Sequence, residues 1–482
     1  MLKKISEWII VLSLLFVGVY VRTYKLEAPL ADWHSWREAD TASVARNFVK
    51  DKFDMLYPQS DSFLALNEHN LPNPNRYFIN EFPLYNAIVA ILYQQFGVHE
   101  YIGRMVSIVF ATFGAASLYG LVRLTLGIGP ALLTLGYYQL LPYNIYYSRV
   151  FMPDPTFVAL SITSLFMAVL WTKTNQLRYG FALMISFALA MLVKPYAIFM
   201  VFPIAYWLFA SWGLGVFKKK SVYLLAIGAF IPLILWRYHY SLHPEGSFAS
   251  TWLLNGDGIR FKGSFFRWLI YDRLNRLIFA TGGFALFVVG LFTTHLKKNS
   301  SLFFVWTLAI FLYFTIFAKG NVNHDYYQLP IVAPGSVLIA YASFWLVGQA
   351  KSWFGKVINI GVVGSMLALS LAFGWFEVRG FFNINNPAIV EAGKKIDELT
   401  PKDAIVIAPY QGDPAFLYQT NRHGWPVGGD VEKRMADGAT YYVTTSREEE
   451  YNRLKKQYTL IYETEQFSII HLIPNGKTGK AD

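Results

Sequence analysis

The sequence contains no cysteine and few charged residues. Charged residues make up only 15% of its 482 residues. Without cysteine the chain cannot form disulfides, thiolate zinc sites or cysteine nucleophiles. A soluble protein carries about 25% charged residues, so the low charge, together with 54% hydrophobic residues, indicates a membrane protein.

Acidic residues are scarcer than basic ones, with 31 Asp and Glu against 42 Lys and Arg. The basic residues are scattered at the ends of apolar runs, which is the pattern of cytoplasmic loops in membrane proteins. They form no basic patch, so we expect membrane lipids and not nucleic acid as a partner. The sequence also lacks a glycine-rich loop of the kind that holds nucleotide phosphates.

Apolar runs near the length that crosses a bilayer recur through residues 1–376 and predict about eleven spans. Lys3 and Lys4 place the N-terminus in the cytoplasm, so the odd count places the C-terminus outside. Segment 82–98 is short and contains Pro83; treating it as an interfacial helix keeps the lysines at 218–220 and 297–298 inside. The approximate limits of the eleven predicted spans are 6–23, 101–122, 129–147, 156–172, 179–193, 196–216, 222–240, 276–294, 302–319, 329–349 and 356–375.

The composition changes to that of a soluble protein after about residue 377. Predicted strands at 404–409, 440–444, 458–463 and 467–472, with helices at 387–399 and 447–456, indicate a small extracytoplasmic α/β domain over 377–482. The last residues, 475–482, are predicted to be disordered. The expected architecture is a polytopic helical domain over 1–376, with a first external loop at 24–100, followed by this α/β domain.

Polar residues concentrate at the outer ends of the predicted spans. Charges at a membrane face are costly to assemble unless they are used. Cationic side chains bind phosphate, and a carboxylate can deprotonate a hydroxyl group as a general base. The pattern therefore favours a reaction on an anionic, lipid-anchored substrate. The residues concerned are Asp32, His34, Trp36, Arg37, Glu38, Asp40, Arg46, Glu81, Arg104, Arg149, Asp154, Lys194, His324, Asp325, Tyr326 and Tyr327.

The chain resembles the GT-C glycosyltransferases of the protein-mannosyltransferase and aminoarabinose-transferase type over about residues 5–350. This resemblance implies a GT-C fold with interfacial helices in the first external loop. It also implies an inverting enzyme that moves a sugar from a polyprenyl-phosphate donor to a glycan, lipid or protein acceptor on the outer face. It rests on the acidic segment after the first helix, Glu-Phe-Pro-Leu-Tyr at 81–85, Arg104, the Arg149 and Asp154 pair, Lys-Pro at 194–195, and His-Asp-Tyr-Tyr-Gln-Leu-Pro at 324–330.

The resemblance also implies roles for individual residues. The catalytic base corresponds to Asp40, with Glu38 second and Asp32 as a further alternative, while Asp154 is the supporting acidic residue and Lys194 contacts the phosphate. Phe82 stands where the family has a lysine. The other candidate phosphate ligands are Arg149, Arg104, Arg37 and Arg46, and the candidate pocket residues are Asp32, His34, Trp36, Glu81, His324, Asp325, Tyr326 and Tyr327.

Several of these residues also have a purely structural interpretation. Arg104 and Lys194 are long enough to reach lipid headgroups from within the membrane. Arg46 could bridge carboxylates of its own loop, and Asp154 could cap the helix that follows it.

A divalent metal is the open alternative for the cofactor. His34 and His324, with Asp40 or Asp325, are the candidate ligands. Because two histidines on separate loops form a weak pattern, we predict no firm cofactor.

Two other classes of protein compete with the enzyme. A transporter or flippase of polyprenyl-linked sugars would show inverted repeats or charges near span centres, and the sequence has neither. A structural or sensory membrane protein would leave the charges shared by several loops unexplained. The sequence therefore favours a glycosyltransferase of the cytoplasmic membrane.

Overall fold

The computed structural model of the chain describes residues 2–248, 250–295 and 298–475. Within these residues the chain is mostly helical and contains one five-stranded sheet. Lys297, the side chains of Lys3 and Lys4, and residues 476–482, all used in the sequence predictions, lie outside the described residues and side chains.

Most helices follow one another with short connections, but a long segment without helix lies between Lys50 and Leu84. Shorter 3₁₀ segments include Pro195–Met200 and Asp325–Ile331, and Trp268–Ile278 is a π-helix. The α-helices are α1 (Leu2–Arg22), α2 (Ser35–Lys50), α3 (Leu84–Phe96), α4 (Glu100–Thr125), α5 (Ile128–Leu140), α6 (Pro142–Tyr147), α7 (Asp154–Thr174), α8 (Leu177–Val193), α9 (Val201–Trp212), α10 (Lys220–Leu242), α11 (Trp252–Asn255), α12 (Gly263–Arg267), α13 (Ala280–Thr294), α14 (Lys298–Ile316), α15 (Ala318–Asn323), α16 (Val332–Gln349), α17 (Trp353–Val378), α18 (Pro387–Leu399), α19 (Pro414–Gln419), α20 (Val431–Ala436) and α21 (Glu449–Gln457).

Eight helical segments of the described residues are long and apolar enough to cross a bilayer. Gly263–Ile278 and Ala280–Thr294 meet at a bend of 118° and give a ninth if together they form one span. These segments make the chain an integral membrane protein. The eight are Ile5–Arg22, Glu100–Thr125, Asp154–Thr174, Pro195–Lys218, Lys220–Leu242, Lys298–Ile316, Asp325–Gln349 and Trp353–Leu399.

This number is lower than the predicted eleven because two predicted spans are short helices, and a third, at 276–294, counts only as part of the bent pair. At 129–147 the structure has α5, of 13 residues, and at 179–193 it has α8, of 17 residues. Thirteen residues extend about 20 Å, which is less than the roughly 30 Å of the hydrocarbon core. Pro142 begins a separate helix after α5, since a proline cannot donate the hydrogen bond that would continue it. Helix α3 also has 13 residues, in agreement with a segment that does not cross the membrane.

The chain folds into two compact units, each assembled from three separate stretches of sequence. Unit 1 contains Met1–Leu26, Arg104–His239 and Ser250–Phe381, and so holds most of the apolar helices. Helix α7 packs along α8, and α13 packs against α16 and α17. A Cβ placed on Gly290 would lie 2.4 Å from the carbonyl oxygen of Leu338. Small residues thus allow close backbone approach between these helices, as is common in membranes.

Unit 2 contains Glu27–Gly103, Tyr240–Ala249 and Phe382–Asp482. Its sheet has the order β2-β1-β3-β5-β4, in which β1 is parallel to β2 and β3, and β5 is antiparallel to β3 and β4. Its core contains buried apolar residues such as Ile407, Val431 and Ile470. The strands are β1 (Ile405–Ile407), β2 (His423–Trp425), β3 (Ala439–Thr444), β4 (Tyr458–Glu463) and β5 (Ser468–Pro474).

All four predicted strands and both predicted helices of the α/β domain are present, and β2 is an additional strand. A bridge between Ser62 and Gly424 joins the segment that precedes α3 to β2. Unit 2 therefore combines the sheet with α2 and α3. The domain boundary between residues 376 and 377 stays a prediction.

Candidate active site

In unit 2 the predicted catalytic carboxylates lie on or just before α2. This helix contains few large apolar residues, yet most of its side chains are buried. Asp32, Glu38 and Asp40 are 1%, 0% and 5% exposed. His34 precedes the helix in a left-handed conformation, with φ of 66°, and Trp36 is 43% exposed. The sequence therefore places three carboxyl groups at buried positions, where an ionised group is costly.

Burial raises the pKa of Asp40 from its ordinary 3.8 to about 8. The positive charge of Arg37 offsets part of this increase, while the negative charges of Asp413, Asp61 and Glu81 add to it. A carboxylate with this pKa binds a proton much more strongly than an ordinary aspartate. Asp40 thus has the property required of a general base that works near neutral or slightly alkaline pH.

The two arginines of α2 each form an ion pair within unit 2. Arg37 Nη2 lies 2.8 and 2.7 Å from the two carboxylate oxygens of Glu81. Arg46 pairs with Asp61 and also donates to the carbonyl oxygen of Tyr418 at 3.2 Å. The suggestion that Arg46 bridges a carboxylate of its own loop agrees with these contacts, and the phosphate role of both arginines stays a prediction.

In unit 1 the structure brings Asp154 and Lys194 together. Asp154 is the first residue of α7 and Lys194 directly follows α8, so the packing of these two helices places the side chains side by side. Lys194 Nζ lies 3.6 Å from Asp154 Oδ2, and both side chains are buried. The same ammonium group lies 6.0 and 5.7 Å from the ring centroids of Tyr326 and Tyr327. We call these four residues the Lys194 cluster.

Asp325 is also in unit 1, in the predicted His-Asp-Tyr-Tyr segment. Its Oδ1 accepts a hydrogen bond from the hydroxyl of Tyr147 at 2.6 Å, and its carbonyl oxygen accepts one from the hydroxyl of Tyr143 at 2.5 Å. Arg273 Nη1 lies 3.7 Å from Asp325 Oδ2. The ring of His324 is 5.1 Å from that of Tyr327. Asp325 is therefore held by hydroxyl groups and a cation from two other segments.

Arg104 and Arg149 are fully buried next to the turn that directly follows α1. Arg104 Nη1 donates to the carbonyl oxygen of Leu26 at 2.8 Å, and Arg149 Nη2 donates to that of Lys25 at 3.2 Å. These contacts show that both arginines stabilise a turn of unit 1. Their role as phosphate ligands stays a prediction.

The predicted metal ligands divide between the two units, with His34 in unit 2 and His324 in unit 1. Within the part of the chain that the structure describes, no group of three or more His, Cys, Asp or Glu side chains could hold a metal ion. The open question of a divalent metal therefore gains no support from geometry.

Sequence reasoning missed several residues that contact the candidates. Tyr143 and Tyr147 lie one helical turn apart on α6, so their spacing in the Tyr-rich run before Arg149 was a usable signal. Arg273 lies in a π-helix that the sequence pattern did not predict. Asp413 precedes α19 and affects Asp40 only because the fold of unit 2 brings these distant segments together.

The arrangement offers two chemical capabilities. Unit 2 has a buried carboxyl group with a raised pKa, which suits proton transfer. Unit 1 has buried cationic and tyrosyl groups, which suit the binding of an anion such as a phosphate. A membrane protein with both features fits the transfer of a group from a lipid phosphate.

Comparison with solved structures identifies the fold. The chain is similar to the crystal structure of ArnT from Cupriavidus metallidurans bound to undecaprenyl phosphate, with a TM-score of 0.69 and 13% identity over 96% of this chain and 98% of that chain. It is also similar to the archaeal oligosaccharyltransferase AglB from Archaeoglobus fulgidus in complex with an inhibitory peptide and a dolichol-phosphate. There the TM-score is 0.59 and the identity 10%, over 98% of this chain and 75% of that chain. These similarities define a membrane protein with the GT-C fold.

The sequence itself matches a family in the same class. Residues 80–238 match the family model described as dolichyl-phosphate-mannose-protein mannosyltransferase. No significant match was found among curated proteins. The family match over residues 80–238 and the GT-C fold confirm the resemblance inferred from the motifs.

Proposed function

We propose that the chain is an inverting glycosyltransferase that moves a sugar from a polyprenyl-phosphate-linked donor to a hydroxyl group of a glycan, lipid or protein. The donor class is supported by the similarity to ArnT, whose crystal structure contains undecaprenyl phosphate, and by the mannosyltransferase match. The reaction takes place on the outer face of the cytoplasmic membrane, with the N-terminus inside and the α/β domain outside, in accordance with the positive-inside rule.

Asp40 is the proposed general base, with Glu38 as the alternative. The observation that carries this assignment is the burial of Asp40 on α2, which raises its pKa to about 8. A base of this strength accepts the proton of a hydroxyl group more readily than an ordinary aspartate, and part of it is still ionised near neutral pH. Glu38 is also buried on the same helix, so the two carboxylates have to be separated by mutation.

Lys194 is the proposed principal ligand of the donor phosphate, and Asp154 supports it. The short distance between Lys194 Nζ and Asp154 Oδ2 fixes the ammonium group at a buried position. Tyr326 and Tyr327 line the same cluster. Arg149 and Arg104 are further candidate ligands of the phosphate. Cationic groups fixed in advance stabilise negative charge that develops on a leaving group without the cost of reorganisation.

The reaction follows from these roles as a single displacement. Asp40 takes the proton of the acceptor hydroxyl while that oxygen forms a bond to the anomeric carbon. The bond between this carbon and the phosphate oxygen breaks, and the electron pair stays on the lipid phosphate, where Lys194 stabilises it. Attack opposite the leaving group inverts the configuration at the anomeric carbon.

The experiment uses the purified full-length protein in detergent with short-chain polyprenyl-phosphate sugars, and release of polyprenyl phosphate is measured. We expect turnover by the natural chain and a loss of about 100-fold or more in Asp40→Asn, since the general base contributes about 10²–10⁴-fold. Glu38→Gln tests the alternative base, and Lys194→Met is expected to raise the KM for the donor. Glu432→Gln, which alters an exposed ion pair of the α/β domain, is the matched control.

Three outcomes would each contradict a part of the proposal. If no donor releases polyprenyl phosphate and the protein instead moves the intact lipid across liposome membranes, the flippase alternative is correct. If Asp40→Asn keeps full turnover while Glu38→Gln loses it, the base is Glu38. Product analysis by NMR reports the anomeric configuration, and retention would overturn the inverting mechanism.

A further inference from the structure

A buried arginine near the end of α2 joins three segments of unit 2 that are distant in sequence. Arg46 pairs with Asp61, and its Nη1 and Nη2 each donate to the carbonyl oxygen of Tyr418 at 3.2 Å. The guanidinium group also lies 4.2 Å from the centroid of the Tyr418 ring. Asn47, the next residue of α2, donates to Asp61 at 3.1 Å. The carboxylate of Asp61 therefore binds two successive residues of α2, Arg46 and Asn47.

A second set of contacts holds the C-terminal end of the same helix. Asp51 directly follows α2, and its Oδ2 accepts a hydrogen bond from Arg76 Nη2 at 2.8 Å. His423 Nε2 lies 3.4 Å from the same oxygen, and His423 Nδ1 lies 3.6 Å from Asp61 Oδ1. Because His423 is the first residue of β2, these contacts connect the end of α2 to the edge of the sheet.

Backbone hydrogen bonds also connect the segment that contains Asp61 to strand β2. The amide of Gly424 in β2 donates to the carbonyl oxygen of Asp61 at 3.0 Å. The amide of Phe63 donates to the carbonyl oxygen of Gly424 at 2.9 Å. The residue that pairs with Arg46 thus belongs to a segment that extends the sheet. At the other end of α2, the amide of Asn385 donates to the carbonyl oxygen of Ala31 at 2.8 Å. Residues of the C-terminal segment therefore hold α2 at both ends.

We propose that Arg46 and Asp61 are positioning residues for Asp40, so that the C-terminal α/β segment takes part in sugar transfer by fixing the helix that carries the base. This inference rests on the proposed function, in which Asp40 is the base. Helix α2 contributes Val44 and Phe48 to a small apolar cluster with α3, and its other buried side chains are mostly small or polar. A buried ion pair with additional hydrogen bonds adds a specific register to this packing. A displacement of about 1 Å can reduce a rate by about 100-fold.

The test uses full-length protein and compares kcat with KM for the donor. We expect Arg46→Lys and Asp61→Asn to lower kcat by about 10-fold to 100-fold and to change the donor KM by less than about twofold. The exchanged pair Arg46→Asp with Asp61→Arg is expected to recover part of the lost kcat. Arg453→Met removes an exposed ion pair of the same unit and serves as the matched control, with unchanged kcat.

Retained folding is checked by thermal unfolding and by size-exclusion chromatography. Arg46→Lys and Asp61→Asn keep the size of the side chains and are measured even if the more drastic Arg46→Met does not fold. Wild-type kcat in both conservative variants would overturn the positioning role. A raised donor KM with unchanged kcat in Arg46→Lys would also overturn it, because that result is expected of a phosphate ligand.

Asp40→Asn separates this inference from the proposed function. If Asp40→Asn keeps wild-type turnover, the proposed base is wrong and the positioning role fails with it. If Asp40→Asn is inactive while both conservative variants have wild-type kcat, only the positioning role is wrong. Inactive Asp40→Asn together with reduced kcat and unchanged donor KM in the two variants supports both.

Discussion

Lys194 and Asp154 form a buried ion pair between the end of α8 and the start of α7, with 3.6 Å between Nζ and Oδ2. Both residues lie at helix termini, so the pairing of α7 with α8 brings a cation and a carboxylate together at one end of this helix pair. Two charges buried in a membrane protein are costly even when paired. The pair is therefore better explained by a function than by stability alone.

Removing one member of this pair should cost more stability than removing both. Lys194→Met or Asp154→Leu leaves the other charge buried without this partner, at a cost of about 3–5 kcal/mol. The double variant removes both charges and should unfold at a higher temperature than either single variant, although all three should have a lower kcat/KM for the donor. Thermal unfolding in detergent measures this order.

The exposed Lys356 provides the control, since Lys356→Met should unfold at the same temperature as the natural chain. A double variant no more stable than the single variants would show that the two charges do not depend on each other.

The pH dependence of kcat/KM should report the raised pKa of Asp40. Because a general base works in its ionised form, kcat/KM should rise with pH and level off above about 8.

The contribution of Asp40 to folding stability should instead fall as the pH rises. The folded state holds the proton of Asp40 up to about pH 8, whereas an ordinary aspartate loses it near 3.8, so this group's contribution falls as the pH rises between those values.

Asp413→Asn should move the acid limb of the kcat/KM profile to lower pH. The pKa of Asp413 is itself raised by burial, to about 6, so Asp413 is mostly ionised at pH 7 and its negative charge raises the pKa of Asp40. Removing this charge therefore lowers the pKa of Asp40, which becomes a weaker base and ionises at lower pH. Asp430→Asn, on an exposed aspartate of the same unit, is the control, and equal profiles for the two variants would contradict the coupling.

Tyr147→Phe should destabilise the protein by removing a hydrogen bond to Asp325. The variant removes the hydroxyl that donates to Asp325 Oδ1 at 2.6 Å, and a buried hydrogen bond to a charged group contributes about 1.5–3 kcal/mol. We expect a lower unfolding temperature and reduced turnover. Tyr238→Phe changes a tyrosine that is 64% exposed and should alter neither. If both variants behave like the natural chain, this hydrogen bond does not stabilise the fold.

Local sequence patterns predicted some elements closely. Helix α18 spans Pro387–Leu399, the limits predicted from sequence, because Asn386 accepts a hydrogen bond from the amide of Ala388 and a proline occupies the first turn. Strand β2 was missed because its sequence, His-Gly-Trp, contains a glycine and no β-branched residue, whereas the equally short β1 reads Ile-Val-Ile. The bend before α13 was also missed, since Ala280 has a φ of 52° that nothing in its type predicts.

The candidate residues were predictable as types but not as partners. Charge at the span ends indicated Asp154 and Lys194 separately, but it did not indicate that the two side chains form an ion pair. The hydrogen bond from Arg46 to Tyr418 and the effect of Asp413 on Asp40 connect residues hundreds of positions apart. Contacts of this kind follow from how whole segments pack, which local periodicity does not contain.

Gly290→Ala should destabilise unit 1 through backbone contact alone. The added Cβ would lie 2.4 Å from the carbonyl oxygen of Leu338, so α13 and α16 would have to separate, at a cost of about 1–3 kcal/mol. Gly364→Ala is the matched control, because a Cβ there meets no atom within 4 Å and alanine favours the helix by about 0.5–1 kcal/mol. Thermal unfolding in detergent should therefore give a lower temperature for the first variant and an equal or higher one for the second. Equal destabilisation of both would mean that the effect comes from the substitution itself and not from the close approach of these helices.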